Sequence, residues 1–170
     1  MRATFKVMMV AALAAGCAIS AQAKLTTARA VLHDASGKEV GRARLQQVGK
    51  EIKVTLQASK LAVGTHGVHI HAVGKCDAPD FASAGSHWNP TGRQHGKDNP
   101  AGMHKGDLPN IVIGSNGRGT LALTVDGAVL GDLLDADGAA LVVHAAADDY
   151  RTDPSGNSGA RIACGVLSAS

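Results

Sequence analysis

Ile52-Lys53-Val54-Thr55-Leu56-Gln57 sets apolar and polar residues in strict alternation. Side chains two apart on an extended chain share a face, so this stretch reads as a strand with one buried and one wet side. The pattern recurs. Leu121, Leu123 and Val125 alternate with Ala122, Thr124 and Asp126, and Ile162, Cys164 and Val166 repeat it near the C-terminus. Ser36-Gly37, Gly49-Lys50 and Asn116-Gly117 punctuate such runs as turns. Strands are predicted near 25–34, 38–48, 51–59, 66–73, 111–114, 119–126, 140–145 and 161–167, and no stretch has a helical period. Regularly spaced short strands predict an all-β antiparallel sandwich or barrel of about eight strands.

Composition agrees with that class. The only large aromatic rings are Phe5, Phe81, Trp88 and Tyr150, so the core must come from Val, Ile, Leu and Ala. One chain of 170 residues is long enough for a single domain with a real core. Residues 1–23 read as a signal peptide. Arg2 and Lys6 form its basic start, Val7 to Ala15 its apolar stretch, and Ala21-Gln22-Ala23 its cleavage site. That leaves 24–170 as the mature domain and predicts an exported, periplasmic protein. The alternative is a lipoprotein anchored through Cys17, because Leu13-Ala14-Ala15-Gly16-Cys17 is similar to a lipoprotein box. No later segment is apolar and long enough for a transmembrane helix.

The leader carries two cations and no acidic residue, so its removal lowers the formal net charge from +3 to +1. With few aromatics to stack on bases and no long basic run, nucleic-acid binding is excluded as a function. Cys76 and Cys164 are then an even pair in an exported chain, for which a disulfide is the default.

Two segments break the strand pattern, Gly74 to Asn110 and Ala147 to Ala160. Irregular loops of the first one's length are normally functional. The first holds His87, His95, His104 and Asp107, and of the eight histidines only His33 stands apart from the motifs. His69 and His71 are two apart on a predicted strand, so both point to one face while Val68 and Ile70 fill the core. They can converge on one metal, and His144 on another strand can join them. His95, His104 and Asp107 with His87 form a His3Asp set. It leaves no open position, which argues for a structural zinc and against a zinc hydrolase.

Together, Gly64-Thr65-His66-Gly67-Val68-His69-Ile70-His71, the loop histidines, Val142-Val143-His144 and Arg161-Ile162-Ala163-Cys164-Gly165-Val166 resemble the copper–zinc superoxide dismutase family, in its bacterial periplasmic form. The resemblance spans nearly all of the mature chain. It implies a Greek-key β-sandwich or barrel with two long functional loops. It implies a copper held by His69, His71, His87 and His144, and a zinc held by His87, His95, His104 and Asp107, with His87 bridging the two. One copper and one zinc per subunit serve as cofactors, superoxide is the substrate, and the protein is a monomer or a homodimer.

The same resemblance makes His87 and Arg161 catalytic. His87 carries a proton to reduced substrate, and Arg161 docks the anion. Asp148 links the His69 and His95 rings, Cys76 pairs with Cys164, and His66 supports the ligands by hydrogen bonding rather than binding metal. Lys75, Arg93, Lys97, Lys105 and Arg151 are candidates for steering the anion, although the second loop lacks the lysine- and glutamate-rich pattern of the eukaryotic family members. Trp88 is expected to anchor the long loop, and His33 to be an ordinary surface residue. A copper or zinc buffer on the same fold is the competing reading.

Overall fold

The computed structural model describes residues 26–170; the leader expected at 1–23 and Cys17 lie outside the described residues. The strands are β1 (Thr27–His33), β2 (Glu39–Val48), β3 (Glu51–Ser59), β4 (Gly64–His71), β5 (Asp107–Ile113), β6 (Arg118–Asp126), β7 (Ala140–His144), β8 (Arg161–Val166) and β9 (Ser168–Ala169). Hydrogen-bonded neighbours run β5-β4-β7-β8-β1-β2-β3-β6, all antiparallel, and β9 pairs with β1. One half of the wall is thus β1-β2-β3-β6 and the other β5-β4-β7-β8. The β3–β4 and β6–β7 connections cross between the halves, as a Greek key requires.

The wall curls into a nearly closed barrel. No ladder joins β5 to β6 among the described residues, yet their backbones meet at the seam. A Cβ at Gly119 would collide with the Val112 carbonyl oxygen and come within 2.8 Å of Ile113 Cδ1, so only glycine fits there. β3 shows how the sequence writes this wall: Ile52, Val54, Leu56 and Ala58 are buried, and their neighbours Glu51, Lys53, Thr55 and Gln57 face water. Leu32, Leu45, Ile70, Ile111, Ile113, Leu141 and Val143 complete the interior from the other strands.

β7 departs from the half-wet rule, because all five of its residues are buried. Leu141 and Val143 join the interior, whereas Ala140 and Val142 belong to a second apolar cluster with Phe81, Ala84 and Cys164. Loops therefore cover the outer face of the barrel here, and the Cys76–Cys164 disulfide staples the first of them to β8. Trp88 is buried in the main core cluster.

Four expectations change. The strand expected at 111–114 begins at Asp107, which shortens the irregular segment. Pro109 lacks an amide hydrogen and hides the strand signal, but β5 is a terminal strand whose pairing with β4 slips between His66 and Val68, where a proline is tolerated. The strand expected at 66–73 is Gly64–His71. Short helical turns appear at Ala82–Ala84 and Leu130–Leu133, each too short to leave a periodic trace, and β9 is an added two-residue strand.

Candidate metal centre

The alternation of β4 sends Val68 and Ile70 inward and His69 and His71 to the outer face. Val142 on β7 lies opposite His69, and His144 follows two residues later on the same face. His87 approaches from the first loop, held by an isolated bridge to His71. One ring nitrogen from each of His69, His71, His87 and His144 falls within 4.8 Å of the others. Nitrogens roughly 2.1 Å from a shared ion lie up to roughly 4.2 Å apart, so this cluster has the span of a metal site.

The second cluster surrounds Asp107. Its Oδ1 lies 2.9 Å from His87 Nδ1, 3.0 Å from His95 Nδ1 and 3.0 Å from His104 Nδ1. Asp107 Oδ2 accepts the amides of Gly96 and His104, which fixes the carboxylate's orientation. His69, His87, His95 and Asp107 also bring donor atoms within 4.8 Å of one another, so distance alone puts His69 in either centre. His69 Nε2 is tied to Asp148 at 2.8 Å, and its Nδ1 is unpaired. His104 Nδ1, by contrast, faces Asp107 and lies 3.4 Å from His87 Nδ1.

The decisive chemistry is in the leftover nitrogens. His69 Nδ1, His71 Nε2, His87 Nε2, His95 Nδ1 and His144 Nε2 are buried and make no aligned hydrogen bond among the described residues, although His95 Nδ1 lies 3.0 Å from Asp107 Oδ1. A buried polar atom left unpaired is costly, and five in one spot do not persist as simple packing. Each ring's other nitrogen is engaged. His71 Nδ1 donates to the Gly85 carbonyl at 2.9 Å, His144 Nδ1 to that of Gly159 at 3.1 Å, and His95 Nε2 to Asp148 Oδ1 at 3.0 Å. Such bonds select the tautomer and aim the free nitrogen, as around metal-binding imidazoles generally.

Protonation follows burial. Desolvation pushes His71 down to about 2, His144 to about 3 and His87 to about 4, and it lowers His69 as well. These rings stay neutral, the form that binds metal. His95 is the exception. Burial opposes its charge, but the two carboxylates that flank it, Asp107 and Asp148, outweigh that and raise it to about 9. Both carboxyls are held below the usual range, because their histidine bonds overcome the desolvation that would raise them.

The supporting residues fall into place around this pair. Asp148 joins His69 to His95 through its two oxygens. His66 donates from Nδ1 to the His144 carbonyl at 2.8 Å, and its Nε2 faces that of Ala62 at 3.0 Å. Arg161, opposite His144, donates to the carbonyls of Phe81 and Gly85 at 2.6 and 2.7 Å. Its charge acts on both His71 and His144. His33 is exposed and belongs to neither cluster. Lys97 stands over the Tyr150 ring and pairs with Asp98.

Sequence reasoning missed three residues. Asn110 clasps the Asp148 backbone from both sides, and Asp153 accepts the His95 amide at 2.6 Å. Asp149 organises the second loop by accepting from the amides of Arg151 and Thr152 and from the side chains of Thr152 and Asn157. Its spacing to Thr152 is a turn signal that was available; Asn110 leaves no such mark.

An antiparallel barrel with adjoining imidazole clusters, one purely imidazole and one sharing a carboxylate, defines a two-metal protein of the copper and zinc type. Comparison with known proteins narrows the class. The family model described as copper/zinc superoxide dismutase matches residues 39–167, and the chain belongs to that family. It is 42% identical over 137 residues to a protein of Aquifex aeolicus named superoxide dismutase [Cu-Zn] 1, covering 77% of this chain and 81% of that one. It is 39% identical over 171 residues to superoxide dismutase [Cu-Zn] of Deinococcus radiodurans, covering 92% and 93%. Among solved structures, an SOD-like protein from Bacillus subtilis superposes with a TM-score of 0.77 at 40% identity, covering 81% of this chain and 96% of that one.

Proposed function

We propose that this chain is a superoxide dismutase in which His69, His71, His87 and His144 hold copper and His87, His95, His104 and Asp107 hold zinc. The observation that carries the reading is the set of unpaired, buried ring nitrogens aimed at one another. When bound, copper would supply the one-electron chemistry that turns two superoxides and two protons into dioxygen and hydrogen peroxide, while zinc has no redox chemistry of its own. The chain's residues do the rest. Arg161 presents a fixed cation beside His71 and His144, where an anion arriving at the copper ligands would dock. His87 reaches both clusters, with Nδ1 toward Asp107 and Nε2 toward the other imidazoles, so Nε2 is where a proton is held and passed on. Asp148 fixes the rings of His69 and His95 together, coupling the two centres.

The second reading is a metal buffer on the same fold. The complete nitrogen quartet together with Arg161 favours catalysis, since storage requires no docked cation. The leader at 1–23 supports export to the periplasm, with anchoring through Cys17 as the alternative. The Cys76–Cys164 disulfide agrees with an oxidising compartment. No helix among the described residues is long and apolar enough to cross a membrane.

Metal analysis paired with a superoxide assay tests the function. The copper- and zinc-loaded protein should outpace free aqueous copper, and His144→Ala should abolish both copper retention and turnover while zinc stays bound. Turnover no faster than free copper would leave the buffer reading standing.

A further inference from the structure

An apolar cleft lined by none of the clustered histidines opens beside the disulfide. Its volume is about 480 Å³, and Val31, Phe81 and Val166 line it with both Cys76 and Cys164. His33 is at its edge. In the β1–β8 ladder His33 is the direct partner of Cys164. Residues opposite each other on antiparallel strands carry their side chains on the same face, with Cβ atoms about 5 Å apart. An imidazole that the dismutase chemistry does not use therefore stands beside one sulfur of the only disulfide among the described residues. Asp34 also borders the cleft, but its Oδ1 is engaged by Ser36 and the Lys38 amide. Glu39, across from His33 on β2, is paired with Arg42.

The two sulfurs differ in access. Cys164 is 1% exposed, whereas Cys76 is only partly covered. We propose that this cleft is a thiol-exchange site, in which an external thiol attacks Cys76 Sγ and His33 assists departure of Cys164 Sγ. A thiolate RS⁻ forms an S–S bond to Cys76 as the Cys76–Cys164 bond breaks, and the electron pair leaves on Cys164. His33 hands that sulfur a proton or, as an imidazolium, stabilises the thiolate; a better-stabilised leaving thiolate departs faster. A second thiol then displaces Cys76 from the mixed disulfide, giving RSSR and a reduced pair. The thiol is the reductant throughout, and the apolar lining suits a small neutral thiol or the cysteine of an apolar peptide. Opening the bond would free the segment that carries the Phe81 and Gly85 carbonyls, the two anchors of Arg161.

Exchange of the full, metal-loaded protein with 2-mercaptoethanol tests this without an activity assay. Acid quenching, alkylation of freed thiols and peptide mapping should place the mercaptoethanol adduct on Cys76 and the alkyl group on Cys164. His33→Ala should slow the first exchange about a hundredfold, the low side of what a positioned proton donor contributes. Added imidazole should restore part of the rate, and metal content and melting temperature should stay at wild-type values. An adduct on Cys164, or wild-type exchange in His33→Ala, overturns the proposal. A slowed variant that imidazole does not rescue overturns the proton-transfer role of His33. A peptide thiol of apolar sequence, run in parallel, shows whether the cleft prefers a peptide over the small thiol.

Discussion

Asp148 shows how much of this centre depends on single contacts. Its carboxylate is saturated by His69, His95 and the Tyr150 amide. Gly156, in a left-handed conformation, packs directly over it, and a Cβ there would come within 2.6 Å of Asp148 Cγ and 2.7 Å of His95 Nε2. Gly156→Ala must therefore displace the carboxylate. Loss of such support typically weakens metal binding about 10–100-fold, and a chelator-competition titration of zinc should show a drop in that range. Arg161→Ala removes the docked cation but none of the ring nitrogens. Turnover should fall about tenfold, a modest value for a lost steering charge, with both metals retained by elemental analysis. The raised His95 carries a pH signature. In metal-free protein its charged form is stabilised by Asp107 and Asp148. That contribution is fully present below the ordinary histidine value of about 6.5 and is lost as pH rises through about 9. Zinc needs Nδ1 unprotonated, so its affinity should climb across the same window, which isothermal titration at several pH values measures directly.

At the level of elements, the first loop is ordered by what it binds and by its staple more than by its own apolar content. The Cys76–Cys164 bond closes a sequence separation of 88 residues and fixes the loop to β8 beside Arg161. A Cys76→Ala/Cys164→Ala double variant should lose about 2–5 kcal/mol in denaturant unfolding of the zinc-loaded protein and release zinc faster to a chelator. The strands were legible because burial alternates so cleanly: β3 and β6 can be read residue by residue from their apolar positions. The start of β5 was not, because Asp107 and Pro109 carry no strand propensity and enter the sheet to serve the metal cluster and the bulge. The convergence of the histidines was legible for a related reason. Histidines two apart on a strand, and a carboxylate three after a histidine, are spacings that geometry converts into convergence. Asn110 and Asp153 were invisible, since their partners lie 38 and 58 residues away and meet only in the fold.

For the molecule as a whole, the barrel and the metal centre divide the work of stability. The interior is aliphatic and continuous, formed by strands from both halves of the wall, and it contains none of the clustered histidines or aspartates. The outer face above β4 and β7 is different: it buries seven histidines and two aspartates. Ions that bind this face but not the unfolded chain stabilise by mass action, about 4 kcal/mol at a thousandfold excess over Kd. For a domain of this size about 1 kcal/mol corresponds to about 2–4 °C, so exhaustive chelation should lower the melting temperature by about 10 °C. Because the barrel core contains none of these residues, the stripped protein should keep its β-sheet circular dichroism below that transition. The loosened part should be the loops, with hydrogen exchange accelerating in 72–106 and 145–160 while the amides of β2 and β3 stay protected. Adding back zinc alone should recover the protection of both loops, since Asp107 and Asp148 tie the zinc cluster to each of them. Equal acceleration across β2, β3 and the loops would instead mean that the barrel and its metal centre unfold as one unit.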